Sequence, residues 1–145
     1  MIDIELIRRK LARLNMYLDK LGPMTKYTFN EYLSDTFLKY STERLVQLIV
    51  ECATDINGHV VVELKGRPPE DYTSSFIRAS DVGLINFELA NRLKASGGMR
   101  NLLVHEYMEI DDKKVYETIP VCINDYKEYI KQVEKFIKNN EIINF

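Results

Sequence analysis

The segment that begins at Arg100 carries the side chains of this sequence that are best suited to chemistry. Asn101 follows the arginine directly, His105 lies five residues after it, and Tyr107 lies two residues further on. If the segment is helical, Asn101 and His105 share a face because they are four residues apart. Arg100 and Tyr107 then point the same way, about 10 Å apart along the helix axis. One helix edge would present a guanidinium, an amide, an imidazole and a phenol to a single cleft.

This set of side chains suits the cleavage of a phosphodiester bond. Arginine binds phosphate oxygens through two parallel hydrogen bonds and stays charged throughout a reaction. Histidine has an ordinary pKa near 6.5, so it can take or give a proton at neutral pH. We therefore expect His105 to activate a ribose 2′-hydroxyl of RNA and Arg100 to stabilise charge on the phosphate oxygens. Neither step requires a metal or another cofactor, and no cluster of carboxylates has the spacing of metal ligands.

The arginine and the histidine alone also fit a structural arrangement. A core histidine bonded to a backbone carbonyl, with a surface arginine nearby, would give the same two residues. The tyrosine and the asparagine of the segment make such a coincidence much rarer. The second histidine of the chain, His59, is most simply structural. Cys52 and Cys122 belong to no CxxC pair, which leaves too few ligands for a zinc site.

Apolar residues recur at intervals of three and four near the start of the chain, as they do on one face of a helix. This first stripe ends before Gly22-Pro23 and consists of Ile4, Ile7, Leu11, Leu14, Leu18 and Leu21. The same helix carries a basic cluster, which either faces solvent or contacts phosphate or an acidic partner: Arg8, Arg9, Lys10 and Arg13.

A second and much longer helix is predicted from Thr28 to Asn57. Thr28 stands three residues before Glu31, which is the spacing of a capping box. The helix would be a rod of about 45 Å, with a bend at Ser41-Thr42. Because such a rod is long for a small domain, we expect part of it to pack on another chain. Its apolar stripe comprises Leu33, Phe37, Tyr40, Leu45, Leu48, Ile49, Cys52, Ala53 and Ile56.

Shorter helices are predicted in the middle of the chain. An irregular connector over 58–72 leads to a short helix over 74–80. Asp81 would cap the next helix, and Gly97-Gly98 would break or kink it. Residues 99–107, which contain the chemically capable segment, would be helical again.

The end of the chain predicts one more helix after a connector that contains Pro120. Its apolar residues are Ile123, Tyr126, Ile130, Val133 and Ile137. The chain lacks the alternation of apolar and polar residues that is typical of strands. The sequence therefore predicts an all-α fold, an up-down bundle of four or five helices with one long kinked helix.

Length and charge exclude several classes of protein. The chain has 145 residues, which predicts a single domain over 1–145. Twenty basic and 22 acidic side chains leave a net charge of −2, which argues against binding nucleic acid through a broad basic face but allows a small basic site. The N-terminal residues lack the order of a secretory signal, and no apolar run approaches the roughly 20 residues that span a bilayer. We expect a cytoplasmic protein without a membrane partner.

The segment GMRNLLVHEY resembles the signature of the HEPN-domain proteins, and in particular that of the HepT-type toxins. The pattern of that family is an arginine, four residues, a histidine, one residue and a tyrosine. The resemblance extends beyond the motif. The long helix with STERLVQLIVECATDINGHVV, the proline-bearing connector and the helix that leads into the motif follow the order of the family, from roughly Met1 to Lys138.

The resemblance implies a homodimer of helical protomers in which two motifs line one cleft at the interface. It implies a metal-independent endoribonuclease toxin that acts on RNA, either tRNA or mRNA, with Arg100 and His105 as the catalytic pair and Asn101 as a supporting hydrogen-bond partner. It also implies that Tyr107 is the tyrosine that the partner antitoxin, a minimal nucleotidyltransferase, modifies with AMP to silence the toxin.

The sequence does not decide the roles of two acidic residues, and it is compatible with two other functions. Glu106 lies inside the motif, where its carboxylate repels phosphate unless it points away. Asp55, on the long helix, either orients Arg100 or His105 or lies on the helix surface. A subunit that docks a minimal nucleotidyltransferase without cutting RNA fits the same resemblance, and a helical scaffold dimer fits the composition.

Overall fold

All regular secondary structure in the described residues is helical, which confirms the all-α class. The computed structural model describes residues 1–105 and 110–143. These ranges contain a 3₁₀ segment, Gly22–Lys26, and six α-helices, which is more than the expected four or five because the predicted second helix is divided. The helices are α1 Ile4–Leu21, α2 Phe29–Ser34, α3 Thr36–Lys65, α4 Tyr72–Asp81, α5 Phe87–His105 and α6 Asp112–Ile143.

The first helix forms as its apolar stripe predicts. Asp3 caps α1 by accepting a hydrogen bond from the Leu6 amide at 3.0 Å, and Gly22 follows its last residue. Ile4 is partly buried. This face packs on α3, which also contacts α4, α5 and α6 and therefore lies at the centre of the bundle. The other five residues of the stripe are buried in the core: Ile7, Leu11, Leu14, Leu18 and Leu21.

The predicted long helix is interrupted at Asp35, and α3 then runs through Ser41-Thr42 without a break. The capping box at its start forms, because Thr28 accepts from the Glu31 amide and the Glu31 carboxylate accepts from the Thr28 amide. α2 nevertheless ends after six residues. Asp35 has an extended backbone and caps α3 by accepting from the Leu38 amide at 3.1 Å, a role that aspartate fills well. Thr42 lies buried inside α3, and its hydroxyl donates to the Leu38 carbonyl at 2.8 Å.

The other end of α3 lies beyond the predicted limit. The helix continues through Gly58, where a connector was expected, because Val60 and Val61 are buried in the core. It ends at Gly66, whose φ of +80° is in the left-handed region and whose amide donates to the Val62 carbonyl at 2.8 Å. With 30 residues α3 is about 45 Å long, as predicted, but it begins and ends eight residues later in the chain than the predicted helix.

The beginning of α3 also places the predicted apolar stripe differently. Phe37 is 87% exposed and Tyr40 is 61% exposed, and Leu33 on α2 is exposed as well. The core face of α3 is instead formed by residues that include Leu38, Val46, Ile49, Val50, Ala53 and Ile56. The helix therefore buries one face in the bundle and leaves two aromatic side chains on the opposite one.

By length and composition, α3 is the one helix among the described residues that could also cross a membrane. More than half of its most apolar window, 56%, is buried inside the protein. The central helix of a bundle has a similar composition because its neighbours cover it on most sides.

The two helices before the motif differ in their boundaries from the prediction. Asp81 is the last residue of α4 and does not cap α5. A turn that contains Gly83, with a φ of +82°, leads instead to Asn86, whose side chain accepts from the Leu89 amide at 2.8 Å. α5 then runs without a break through Gly97-Gly98 to His105. A break at the two glycines, one of the two predicted alternatives, is therefore wrong.

The last helix is longer than predicted, because it includes the residue that was assigned to a connector. α6 begins at Asp112, after Asp111, which accepts from the Lys114 amide at 3.3 Å. Pro120 lies inside the helix. Neighbouring buried residues hold this segment against the core despite the missing proline N–H: Val115, Ile119 and Cys122.

Because Gly97 has no side chain, the backbone of α5 can pack directly on the backbone at the beginning of α4. A Cβ added at Gly97 would lie 2.7 Å from the Thr73 nitrogen and 2.8 Å from the Tyr72 carbonyl carbon, and neither backbone atom can rotate away. A Cβ at Gly98 would meet nothing within 4 Å. The first glycine is therefore required by packing, whereas the second is not.

We expect the two glycines to respond in opposite directions to alanine. Gly97→Ala should lower the free energy of unfolding by about 1–3 kcal/mol, because overpacking forces α4 and α5 apart. Gly98→Ala should raise it by about 0.5–1 kcal/mol, because alanine loses less backbone entropy in a helix. Urea denaturation monitored by circular dichroism measures both changes, and equal stabilisation by the two variants would contradict this account of Gly97.

Candidate active site

The C-terminal part of α5 carries three of the four predicted site residues. Arg100 and His105 are separated by five residues, which places them about 7.5 Å apart along the axis and about 140° around it. The Arg100 side chain is largely buried, with 14% of its surface exposed, whereas His105 is exposed. Asn101 is partly buried. Tyr107 and Glu106 lie outside the described residues.

The Arg100 guanidinium has three supports. Its Nε and Nη2 atoms donate to one oxygen of Glu51, Oε1, at 3.1 and 2.8 Å. Its Nη1 atom donates to Oδ1 of Asn101 at 3.3 Å. Cζ of Arg100 lies over the ring of Tyr72, 4.2 Å from the ring centroid. Contacts from α3, α4 and α5 thus converge on one cationic group.

Glu51 is the acid that binds Arg100, and sequence reasoning did not single it out. Partial burial raises the pKa of its carboxyl group, but hydrogen bonds from Gln47 and Arg100, together with the positive charges of Arg100 and Arg44, lower the pKa below its ordinary value. Gln47 donates to the same Oε1 atom at 3.1 Å. The carboxylate is therefore ionised at neutral pH, and it fixes the orientation of the guanidinium. The lone acid in the apolar run LIVECA was the available signal.

Asp55 lies on the surface of α3 and does not orient the motif. It pairs with Lys10 of α1 at 2.9 Å, and 58% of its side chain is exposed. Of the two alternatives for Asp55, the structure shows the surface one. Lys10 belongs to the basic cluster of α1, and another member of that cluster, Arg8, pairs with Glu141. Each of these two cations therefore has its own acidic partner within the chain.

Tyr72 is the second residue of this site that the sequence did not reveal as a candidate. It is the first residue of α4, in a part of the chain where a connector was expected to end. An aromatic ring within about 6 Å of a guanidinium attracts it, and the attraction increases where water is partly excluded. The ring belongs to a different helix from Arg100, so no spacing in the sequence could join the two residues.

The second histidine has the structural role that the sequence predicts. His59 accepts a hydrogen bond at Nε2 from the Asp3 amide at 2.9 Å, which ties the start of α1 to α3. No group of three or more histidine, cysteine, aspartate or glutamate side chains in residues 1–105 and 110–143 has the arrangement of a metal site. Cys52 and Cys122 are both buried and unpaired. Burial raises the pKa of both thiols, that of Cys52 to about 11.

Solved structures share this helical architecture, and one of them is described as a HEPN toxin. A tri-AMPylated HEPN toxin of Shewanella oneidensis, solved in complex with an MNT antitoxin, matches with a TM-score of 0.81 over 93% of this chain and 99% of that chain, at 24% identity. YutE of Bacillus subtilis, described as a cytosolic protein of unknown function, matches with a TM-score of 0.81 at 16% identity, over 96% of this chain and 93% of that one. At these identities the likeness concerns the fold.

Sequence relatives identify the family within this class. The family model described as Ribonuclease HepT-like matches residues 14–133. The tRNA nuclease HepT of Aphanizomenon flos-aquae is 34% identical over 136 residues, which are 94% of this chain and 92% of the relative. The mRNA nuclease HepT of Shewanella oneidensis is 25% identical over 72% of this chain and 79% of that protein. The chain belongs to the HepT-like ribonuclease family.

Proposed function

We propose that this protein is an endoribonuclease toxin of a toxin–antitoxin pair and that Arg100 and His105 are its catalytic residues. The observation that carries the proposal is the fixed guanidinium of Arg100, held by Glu51, Asn101 and Tyr72 on the helix that ends with an exposed His105. Membership in the HepT-like family supports it, since two relatives are named as tRNA and mRNA nucleases.

The proposed reaction is an attack of a ribose 2′-oxygen on the adjacent phosphorus. His105 takes the proton of the 2′-hydroxyl, the bond between phosphorus and the 2′-oxygen forms, and the bond to the 5′-oxygen breaks. The leaving 5′-oxygen takes up a proton, which an imidazolium of a second motif in the same cleft can supply. Arg100 stabilises the negative charge that grows on the phosphate oxygens in between. Each step uses groups of the chain itself, so we propose cleavage without a metal ion.

The contacts of Arg100 leave donors available for a phosphate. A guanidinium has five N–H groups, and Glu51 and Asn101 engage three of them. One N–H on each Nη atom has no acceptor in the part of the chain that the structure describes. These two donors can bind two phosphate oxygens while Glu51 keeps the side chain in place. Arg100 therefore does not have to leave its partners in order to act.

We expect the nuclease activity to depend on Arg100 and His105 and to persist in a chelator. Purified wild-type protein should cut tRNA or total RNA in EDTA. Arg100→Ala and His105→Ala should each slow the cleavage by about 100-fold or more, since each removes charge stabilisation or proton transfer from the transition state. Gel analysis of labelled RNA under single-turnover conditions measures the rates.

The other histidine of the chain supplies the matched control. His59→Ala should cut RNA at the wild-type rate, because His59 contacts the start of α1 and not the motif. A wild-type protein as inert as His105→Ala would refute the nuclease and favour the alternative function, a subunit that docks a nucleotidyltransferase without cutting RNA. Cleavage that requires Mg²⁺ would contradict the metal-independent reaction.

The exposed face of α3 supports a homodimer. Phe37 and Tyr40 lie on the same side of the helix as Arg44 and Glu51, since all four are separated by intervals of three, four and seven residues. The two exposed aromatic rings are therefore continuous with the contact that holds Arg100. A second copy that covers this face would bring two motifs toward one cleft and would remove two large aromatic side chains from water.

The dimer can be tested with a pair of aromatic substitutions. Wild-type protein should sediment at twice its mass of 17.0 kDa, whereas Phe37→Ser combined with Tyr40→Ser should sediment as a monomer with a much lower cleavage rate. Phe87→Ser, a change at a phenylalanine on α5 that is 64% exposed, should leave the dimer intact. Sedimentation velocity at micromolar concentration decides the question, and a monomeric wild-type protein would overturn the proposal.

We further propose that a minimal nucleotidyltransferase silences the toxin by adding AMP to Tyr107. The support is the match of the sequence to the family motif, together with the family itself; Tyr107 lies outside the described residues. An added nucleotide would place bulk and negative charge two residues after His105, where an RNA phosphate must approach Arg100. Steric exclusion and repulsion between like charges would then both oppose RNA binding.

This modification predicts a change in mass that depends on one hydroxyl. After co-expression with the nucleotidyltransferase encoded by the neighbouring reading frame, intact-mass spectrometry should detect one or more AMP units on the wild-type protein. Tyr107→Phe should carry none, whereas Tyr27→Phe, a change at an exposed tyrosine near the N-terminus, should be modified normally. Unmodified wild-type protein, or a modified Tyr107→Phe, would contradict the proposal.

A further inference from the structure

The Tyr72 ring lies on one side of the Arg100 guanidinium, where Glu51 and Asn101 make no contact. Glu51 and Asn101 bind atoms along the edges of the guanidinium, where hydrogen bonds to its N–H groups must lie. Such bonds resist movement within the guanidinium plane but allow the plane to tilt. The Tyr72 ring, whose centroid lies 4.2 Å from Cζ, opposes this tilt and shields one side of the cation from water.

The position of Tyr72 is fixed by the backbone contact of α4 with α5. Gly97 lies three residues before Arg100 on α5, and its missing side chain admits the Tyr72 and Thr73 backbone. One helical turn of α5 therefore contains both the glycine that contacts the Tyr72 backbone and the arginine that contacts the Tyr72 ring. Any other residue at position 97 would have a Cβ that forces a shift of the backbone that carries the ring.

A buried polar network also binds the backbone of Tyr72. The Ser75 hydroxyl donates to the Tyr72 carbonyl at 2.9 Å and accepts from the Asn57 amide at 3.3 Å. Asn57 in turn accepts from the Tyr129 hydroxyl at 2.7 Å. Asn57 and Tyr129 are fully buried and Ser75 almost so, so this network links the first turn of α4 to α3 and α6 without contact with solvent.

We infer from these contacts that Tyr72 is a positioning residue for the reaction, which stacks on Arg100 and holds its guanidinium in the plane that meets the phosphate. The inference rests on the proposed nuclease function. Tyr72 acts on the rate through Arg100 and not through contact with the scissile bond. The aromatic ring is the functional part of the side chain, since stacking uses the face of the ring and not the hydroxyl group.

The test compares Tyr72→Leu with Tyr72→Phe in the full-length protein. Misplacement of a catalytic group by about 1 Å can cost about 100-fold in rate, so Tyr72→Leu should lower kcat by about 10–100-fold with little change in KM. Tyr72→Phe keeps the ring and should stay within about threefold of the wild-type rate. Equal losses in the two variants, or a full rate in Tyr72→Leu while Arg100→Ala is inert, would overturn the inference and leave the proposed function intact.

A double substitution separates positioning from a general structural role. A lysine ammonium has no plane that the ring could hold against tilting, so in an Arg100→Lys background the further change Tyr72→Leu should cause a much smaller additional loss of rate. A structural role would give the same loss in both backgrounds, and that result would overturn the inference. Thermal unfolding of each variant is measured in parallel.

An NMR measurement provides a readout that does not depend on cleavage. The Arg100 Nε–H signal should shift in Tyr72→Leu, because the ring current is lost, and should stay near its wild-type position in Tyr72→Phe. An unchanged signal in Tyr72→Leu would overturn the stacked arrangement. Failure of the proposed function would be recognised separately, by a wild-type protein that does not cut RNA or by an Arg100→Ala variant as active as the wild type.

Discussion

The ion pair between Glu51 and Arg100 is the contact on which the arrangement of the site depends. Arg100 keeps only 14% of its side chain in contact with solvent, and an unpaired charge in such a place costs on the order of several kcal/mol. The acid comes from α3 and the base from α5, so the two helices must meet in one register. Because α3 is also the central helix of the core, the packing that forms the bundle also places the cation that we propose to be catalytic.

Neutralisation of Arg100 inside the protein also reconciles the composition with the proposed substrate. A net charge of −2 speaks against a broad basic face, and two cations of the basic cluster on α1 are paired with acids of the same chain. The chemistry we propose needs no broad face, since one guanidinium with two available N–H groups can bind one phosphate. Selectivity for RNA then rests on the reacting 2′-hydroxyl and on the shape of the cleft rather than on bulk charge.

Sequence patterns reveal contacts within one element and miss contacts between elements. The stripe of α1, the capping box at Thr28 and the shared face of Asn101 and His105 are local features, and periodicity and spacing were enough to predict them. Glu51 and Asp55 are two acids four residues apart on one helix, and only the approach of α5 distinguishes the acid that binds Arg100 from the one that faces solvent. Gly97-Gly98 was predicted to break or kink the helix, because the sequence alone does not reveal the close contact of Gly97 with Tyr72, 25 positions earlier.

The two glycines of α5 have a consequence for local unfolding. Each glycine weakens a helix by about 0.5–1 kcal/mol relative to alanine, so α5 relies on its neighbours for its stability. A fluctuation that separates α4 from α5 would expose the backbone of both helices to hydrogen exchange and would at the same moment remove the ring from Arg100. The Tyr72 ring can stay on Arg100 only while α4 and α5 remain in contact. The free energy needed to separate the two helices is therefore an upper limit on the free energy that holds the site together.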